Sequence, residues 1–273
     1  MILFGKPKNP EDIIYQAMLL VEKNQPKAAI ALFNQALKAD SKNIEALYNK
    51  GLALNQIKKY QDAITSFDKV LEIKPKDSPS LNNRAIALAE LGNTEDALEY
   101  YDKAIEADSK YSAAYYNKGV LYDKLAKHED SLRCLDEAIK IDPKNLSSRF
   151  YKGIVLGKLK KHEEALNCFS TICHSNPRHM DALFHKGIET AELGRHKQAL
   201  EIFDKLLSEY KKNVNVIYAK SRSKAALGEI DQSFDLLKQA VSQNPKVIKK
   251  WAKQEPIFER FQNDKRFQKI TGR

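Results

Sequence analysis

Apolar and small residues along this chain follow two nested periods. Locally they recur at an i, i+4, i+7 spacing, as in Leu47, Gly51 and Leu54, which places them on one face of a helix. The same spacing returns further on in the cycle, as in Ala97, Tyr101 and Ala104. The longer period is set by Gly51, Gly119, Gly153 and Gly187, whose separations are 68, 34 and 34. With each glycine at position 8 of a 34-residue unit, seven units follow without insertion: 10–43, 44–77, 78–111, 112–145, 146–179, 180–213 and 214–247. Position 8 is then small throughout, with Ala17, Ala85 and Ser221 completing the row. Position 20 is also small: Ala29, Ala63, Ala97, Ser131, Ala165, Ala199 and Ser233. Position 24 is large and apolar: Phe33, Phe67, Tyr101, Leu135, Phe169, Phe203 and Leu237.

Each unit therefore predicts two short helices, A and B. Gly92, Gly194 and Gly228 fall in the turn between them, where a left-handed backbone is tolerated. Proline at position 32 (Pro75, Pro143, Pro177 and Pro245) stops helix B before the next unit. Ser78 followed by Pro79 predicts a capping residue and a first-turn proline. A glycine inside a helix costs about 1 kcal/mol relative to alanine. Its recurrence at position 8 implies that two helices approach closely there. Helices this short are marginal alone, so neighbouring units must supply their burial.

The pattern resembles the tetratricopeptide repeat, a 34-residue helix–turn–helix with tryptophan at position 4, small residues at 8 and 20, an aromatic at 24 and proline at 32. Positions 8, 20 and 24 agree in all seven units. Position 7 departs: Gln16, then Lys50, Arg84, Lys118, Lys152, Lys186 and Lys220 stand where the family has leucine. Tryptophan is absent from position 4 of all seven. The only tryptophan, Trp251, falls at that position of an incomplete eighth unit. Residues 248–273 are therefore expected to form a C-terminal capping helix and tail, with Trp251, Phe258, Phe261 and Phe267 covering the last unit. Residues 1–9 are an N-terminal extension. The resemblance implies an all-α fold, a right-handed α-solenoid or superhelix of antiparallel helix pairs. It also implies a non-enzymatic protein-interaction scaffold that binds an extended peptide or a partner helix in the concave groove lined by A helices.

On a helical wheel the groove sector of helix A includes positions 5, 6 and 9. Position 5 reads Tyr48, Asn82, Tyr116, Phe150, Phe184 and Tyr218 from the second unit onward. Position 6 carries Asn49, Asn83 and Asn117 in three consecutive units. An amide offers a donor and an acceptor together, so such a ladder can pair with the backbone of an extended peptide whatever its sequence. In this family asparagine at that position is a known peptide-backbone contact. These nine residues form the expected peptide-binding set, for a protein or peptide ligand of unknown identity. Position 9 (Leu52, Ile86, Val120, Ile154, Ile188) reads as packing between A helices. The family's clamp for carboxyl-terminal peptides needs lysine at 5 and asparagine at 9 of one unit, and no unit has either.

Composition adjusts this picture in a few places. Hydrophobic residues make up 42% and charged residues 30%, which suits a folded chain. The formal charge is +10. Residues 246–273, with nine Lys/Arg against three Asp/Glu, supply more than half of it, and Lys246, Lys249, Lys250 and Lys253 cluster around Trp251. The alternative function is therefore nucleic-acid binding, to RNA or DNA, through the cationic row at position 7 and the basic cap. Long lysine stems covering a core edge explain the position 7 row without a ligand. Three cysteines cannot form a disulfide framework, which points to a reducing, cytoplasmic setting. The apolar stretch Ile2–Leu3–Phe4 is too short for a secretory signal, and no run reaches the ~20 residues of a membrane span.

His128, His162 and His196 share position 17, where a ring packs near the interhelix turn. Cys168, Cys173, His174 and His179 lack the spacing of a zinc site, so no metal and no cofactor is expected. Asp and Glu are scattered over helix faces expected to meet solvent, and no catalytic constellation emerges. Self-association is open as well, since end units can stack or swap.

Overall fold

A tight turn and a closely packed pair of helices make up each 34-residue period. In the computed structural model, which describes residues 9–272, the first body contains α1 (Pro10–Glu22), α2 (Pro26–Ala39), α3 (Ile44–Gln56), α4 (Tyr60–Ile73), α5 (Ser78–Glu90), α6 (Thr94–Ala107), α7 (Ser112–Lys124) and α8 (His128–Ile141). The second body contains α9 (Leu146–Lys158), α10 (His162–Ser175), α11 (Met180–Glu192), α12 (His196–Glu209), α13 (Val214–Ala226), α14 (Ile230–Gln243), α15 (Pro245–Gln254), a 3-10 helix (Pro256–Phe261) and α16 (Lys265–Thr271). The bodies divide between residues 145 and 146. The N-terminal extension lies outside the described residues except for Asn9, whose side chain accepts from the Asp12 amide and caps α1. The fold is all-α, and each even-numbered helix through α14 folds back on the helix before it.

Capping side chains start many of the A helices. Asn43 accepts from the Ala46 amide at 2.9 Å and Asp77 from the Ser80 amide at 3.0 Å. Asn213 serves α13 in the same way. Each such cap is worth about 1 kcal/mol. The expected cap at Ser78 is corrected by one residue: Asp77 caps, and Ser78 is already helical, with Pro79 behind it in the first turn. The turn between A and B is a single left-handed residue at position 15. Gly92, Gly194 and Gly228 hold it with φ of 88°, 75° and 80°. Asn24, Lys58, Ala126 and Lys160 hold the same place with φ between 56° and 61°, where a side chain is strained. Pro245 corrects the reading of position 32 as a stop only, because it is the first residue of α15.

Small residues at 8 and 20 allow each A–B pair to close over the large residue at 24. Phe33, Phe67, Phe169, Phe203, Leu135 and Leu237 are fully buried, and so are the alanines at position 20. A Cβ added at Gly51, Gly153 or Gly187 would lie 2.5–2.7 Å from the ring of Phe67, Phe169 or Phe203. Burying each such ring contributes about 1.5–3 kcal/mol, which offsets the glycine's cost in the helix. At the end of the second body both small positions are serine. Ser221 Oγ donates to the Ser233 carbonyl at 2.8 Å and Ser233 Oγ to the Ser221 carbonyl at 2.9 Å.

The C-terminal residues continue the second body's core. Phe258 and Phe267 are fully buried with Phe234, Leu237 and Ile248. Phe261 meets Phe234 edge-on at 5.4 Å between centroids. Trp251 departs from its expected place in the covering layer: it is 40% exposed and leans on Tyr218 from outside, 5.6 Å between centroids.

Candidate functional site

The A helices carry the sector that the sequence singles out, and within each body they also lie close to one another. Helix α1 packs against α3, α3 against α5 and α5 against α7, while α11 packs against α13. Among the described residues no two B helices of one body pack as closely. The side of each stack lined by A helices is therefore the tighter one, and the rows at positions 5 and 6 meet there across neighbouring units.

In the first body these rows form a bonded lattice. Asn83 Nδ2 donates to Tyr48 Oη at 3.1 Å and to the Pro79 carbonyl at 2.8 Å. Asn117 Nδ2 donates to Asn82 Oδ1 at 2.9 Å. Each lateral bond joins position 6 of one unit to position 5 of the unit before it. Asn49 instead donates to the Glu45 carbonyl one turn back, at 2.9 Å. All three amides bond as donors within the described residues, and their side chains are half-buried. Burial, reinforced by Tyr111 and Asp77, pushes the Tyr48 phenol up to about 12, against the hydrogen bond from Asn83. Burial also raises the Tyr116 phenol. Asn82 is only 3% exposed, so it supports Asn117 and is withdrawn from the set of surface contacts.

In the second body the same rows are aromatic. Phe150 meets His185 edge-on at 5.5 Å, again position 5 against position 6 of the next unit, and Phe184 meets Phe203 at 6.4 Å. Phe150 and Phe184 are half-buried. Burial lowers the pKa of His185, which favours a neutral ring in this apolar setting. Tyr218 is a correction: Trp251 and Phe258 lie over it and leave it 7% exposed, so no ligand reaches it in this arrangement. Arg222, the polar exception in the position 9 row, closes the same end of the stack. It bonds Glu192 at 2.8 Å and Glu255, in the segment after α15, at 2.6 Å. At position 9, Leu52, Ile86 and Ile188 pack against the buried clusters of their helix pairs.

Other charges are spent within the bodies. Arg84 Nε reaches Asp68 at 2.5 Å, and Lys118 and Lys220 pair with Asp102 and Asp204. The cationic row is in these places a set of ion pairs within each body. The expectation that Asp and Glu all meet solvent fails at two positions. Asp123 and Glu189 are buried and bond the ring nitrogens of His128 at 2.9 Å and His162 at 2.7 Å. Burial raises the Glu189 carboxyl, and the bond to His162 opposes that rise. A wheel drawn for one helix could not reveal Glu189, since His162 lies 27 residues away. Among the described residues no three His, Cys, Asp or Glu side chains are grouped to hold a metal ion. None of the described helices is long and apolar enough to cross a membrane.

Comparison with known proteins gives concordant matches. Two family profiles, both described as tetratricopeptide repeat, match residues 16–78 and 151–214, and residues 78–111 and 112–145. A search of curated proteins gives no match. Among solved structures, a tetratricopeptide repeat protein from Parabacteroides merdae is 22% identical, with TM-score 0.62 over 97% of this chain and 99% of its own. YrrB, described as having an unusual peptide-binding site, is 25% identical, with TM-score 0.59 over 69% of this chain and 97% of its own. PilW, a type IV pilus biogenesis factor, is 22% identical, with TM-score 0.67 over 76% of this chain and 96% of its own.

Proposed function

Because the chain belongs to the tetratricopeptide repeat family, we propose that it is a non-enzymatic scaffold that captures an extended peptide on the A-helix side of its stacked units. The observation that carries this reading is the row of half-buried amides at Asn49, Asn83 and Asn117 in three consecutive units. Their N–H groups are tied back to the protein, which fixes each amide's orientation. Amides held in this way accept from backbone N–H groups of a strand-like ligand at little further cost in side-chain entropy. Within the first body Tyr48 and Tyr116 supply flat, half-buried surfaces for the ligand's side chains, and Phe150 and Phe184 offer surfaces of the same kind on the second body by itself. Asn82 and Tyr218 take no direct part in this version of the site. The peptide-binding site named for YrrB supports the reading by analogy.

The test has two stages. Affinity capture with the intact chain identifies a ligand peptide, and calorimetry then compares wild type with the Asn49→Ala, Asn83→Ala, Asn117→Ala triple variant. The expected result is a loss of tenfold or more in affinity, on the order of 1.4 kcal/mol or more for three amides. Unchanged affinity in a variant of native helicity overturns the amide-row mechanism.

A further inference from the structure

Position 7 is cationic in the six units that begin at Ile44, and at five of them, all but Lys152, the structure shows the charge handled in two different ways. Arg84, Lys118 and Lys220 each pair with an aspartate sixteen residues earlier, on the B helix of the preceding unit. The side chains of these three cations are only 13–20% exposed. Sixteen residues before Lys50 and Lys186, the sequence has Asn34 and Ser170 instead. At both places the wall between neighbouring B helices opens into a furrow.

The first furrow, about 360 Å³, lies among α2, α3 and α4 and is lined by Asn34, Lys50, Lys59, Asp62 and Lys69. Lys59 and Asp62 form an exposed pair at 3.8 Å, so a single carboxylate stands against three ammonium groups there. The second furrow, about 620 Å³, lies among α10, α11 and α12 and is lined by Ser170, Cys173, His174, Lys186 and Lys205. No acidic residue lines it. The two furrows share one plan: a lysine on helix A, a second lysine nineteen residues on, and a short neutral polar residue where an aspartate stands elsewhere. Burial and the facing Lys69 ammonium lower the Lys50 pKa, while Asp62 acts in the opposite sense. With three lysines against one aspartate in the first furrow and two lysines against none in the second, each space carries a net positive charge that favours an anion between the lysines.

We propose that the two furrows are oxyanion sites, each holding one carboxylate or inorganic oxyanion between its lysine pair. The bound group takes the place that Asp68, Asp102 and Asp204 fill for the other cations. These sites lie on the B-helix side and are independent of the amide row.

The experiment follows lysine side-chain Cε–Hε resonances in the intact chain. Sodium sulfate is titrated at constant ionic strength maintained with chloride, and acetyl-Glu-Glu-amide is titrated in parallel. Lys50 and Lys186 are expected to shift along saturating curves. Asn34→Asp abolishes saturation at Lys50 alone, and Ser170→Asp abolishes it at Lys186 alone, each by tenfold or more in apparent affinity. Asp102→Asn opens the same place beside Lys118, which acquires the response. This third variant keeps the proposal testable if either added aspartate perturbs folding. Tighter saturation by the peptide identifies an acidic side chain of a partner as the natural occupant, and tighter saturation by sulfate identifies a free anion. Linear shifts of equal size in wild type and in the aspartate variants, for both probes, overturn the proposal.

Discussion

Tyr48 Oη accepts a hydrogen bond from Asn83 Nδ2 at 3.1 Å, across 35 residues of sequence. The same offset joins Asn82 to Asn117 and Phe150 to His185. Position 5 of one unit thus meets position 6 of the next, in polar form in the first body and in aromatic form in the second. The row proposed to hold a ligand also holds neighbouring units together, so binding and array stability share side chains.

Tyr48→Phe removes the acceptor and leaves one Asn83 N–H to water. The expected loss is about 0.5–1.5 kcal/mol by denaturant titration. The raised phenol also sets a sign for pH. The folded state holds the Tyr48 proton more tightly than the unfolded chain, so this contribution is complete below the ordinary tyrosine value near 10. It is lost as pH rises from there toward about 12. Burial raises Tyr101 and Tyr218 in the same direction. Stability should fall through this alkaline window, and less steeply in Tyr48→Phe than in wild type.

The left-handed turn residue offers a stabilising change that touches no packing. Ala126 has φ of 58° and no polar side chain to relieve the strain. Ala126→Gly is expected to gain about 0.5–1 kcal/mol, and Lys58→Gly and Lys160→Gly should act alike. Gly194→Ala, at φ of 75°, should lose a similar amount. Thermal melts of the four variants decide the matter.

Buried serines at the A–B crossing should differ according to their partners. Ser233 exchanges hydrogen bonds with Ser221, whereas the buried Ser131 hydroxyl has no partner. Ser233→Ala is expected to cost about 0.5–1.5 kcal/mol, because it removes the buried bond to the Ser221 carbonyl. Ser131→Ala should be neutral or mildly stabilising. Equal losses in a denaturant series would contradict this assignment.

Gly187→Ala places a Cβ 2.5 Å from Phe203, so α11 and α12 must separate or the ring must turn. A cost of about 1–3 kcal/mol is expected. Gly119 faces Leu135 instead, with 3.0 Å at the nearest atom, and Gly119→Ala should cost less. Adding Phe203→Leu to Gly187→Ala should therefore cost less than the sum of the two single changes, which a double-mutant cycle measures.

The 34-residue period, the helix pair, the small residues at 8 and 20 and the turn glycines were legible in the sequence alone. Each depends on local backbone preference or on an apolar stripe along one helix, and both are written in contiguous residues. The tertiary structure decided which members of that pattern remain available. Asn82 and Tyr218 look equivalent to Tyr116 and Phe150 on a wheel, yet they are buried, Tyr218 beneath Trp251 and Phe258. Lys50 and Lys118 occupy the same register, yet only Lys118 meets an aspartate. Glu189 looks solvent-facing and is sealed against His162. In each case the deciding group lies some 16 to 40 residues away, on a neighbouring helix. Burial and charge pairing are set by distance in space, which a single helix's periodicity does not contain.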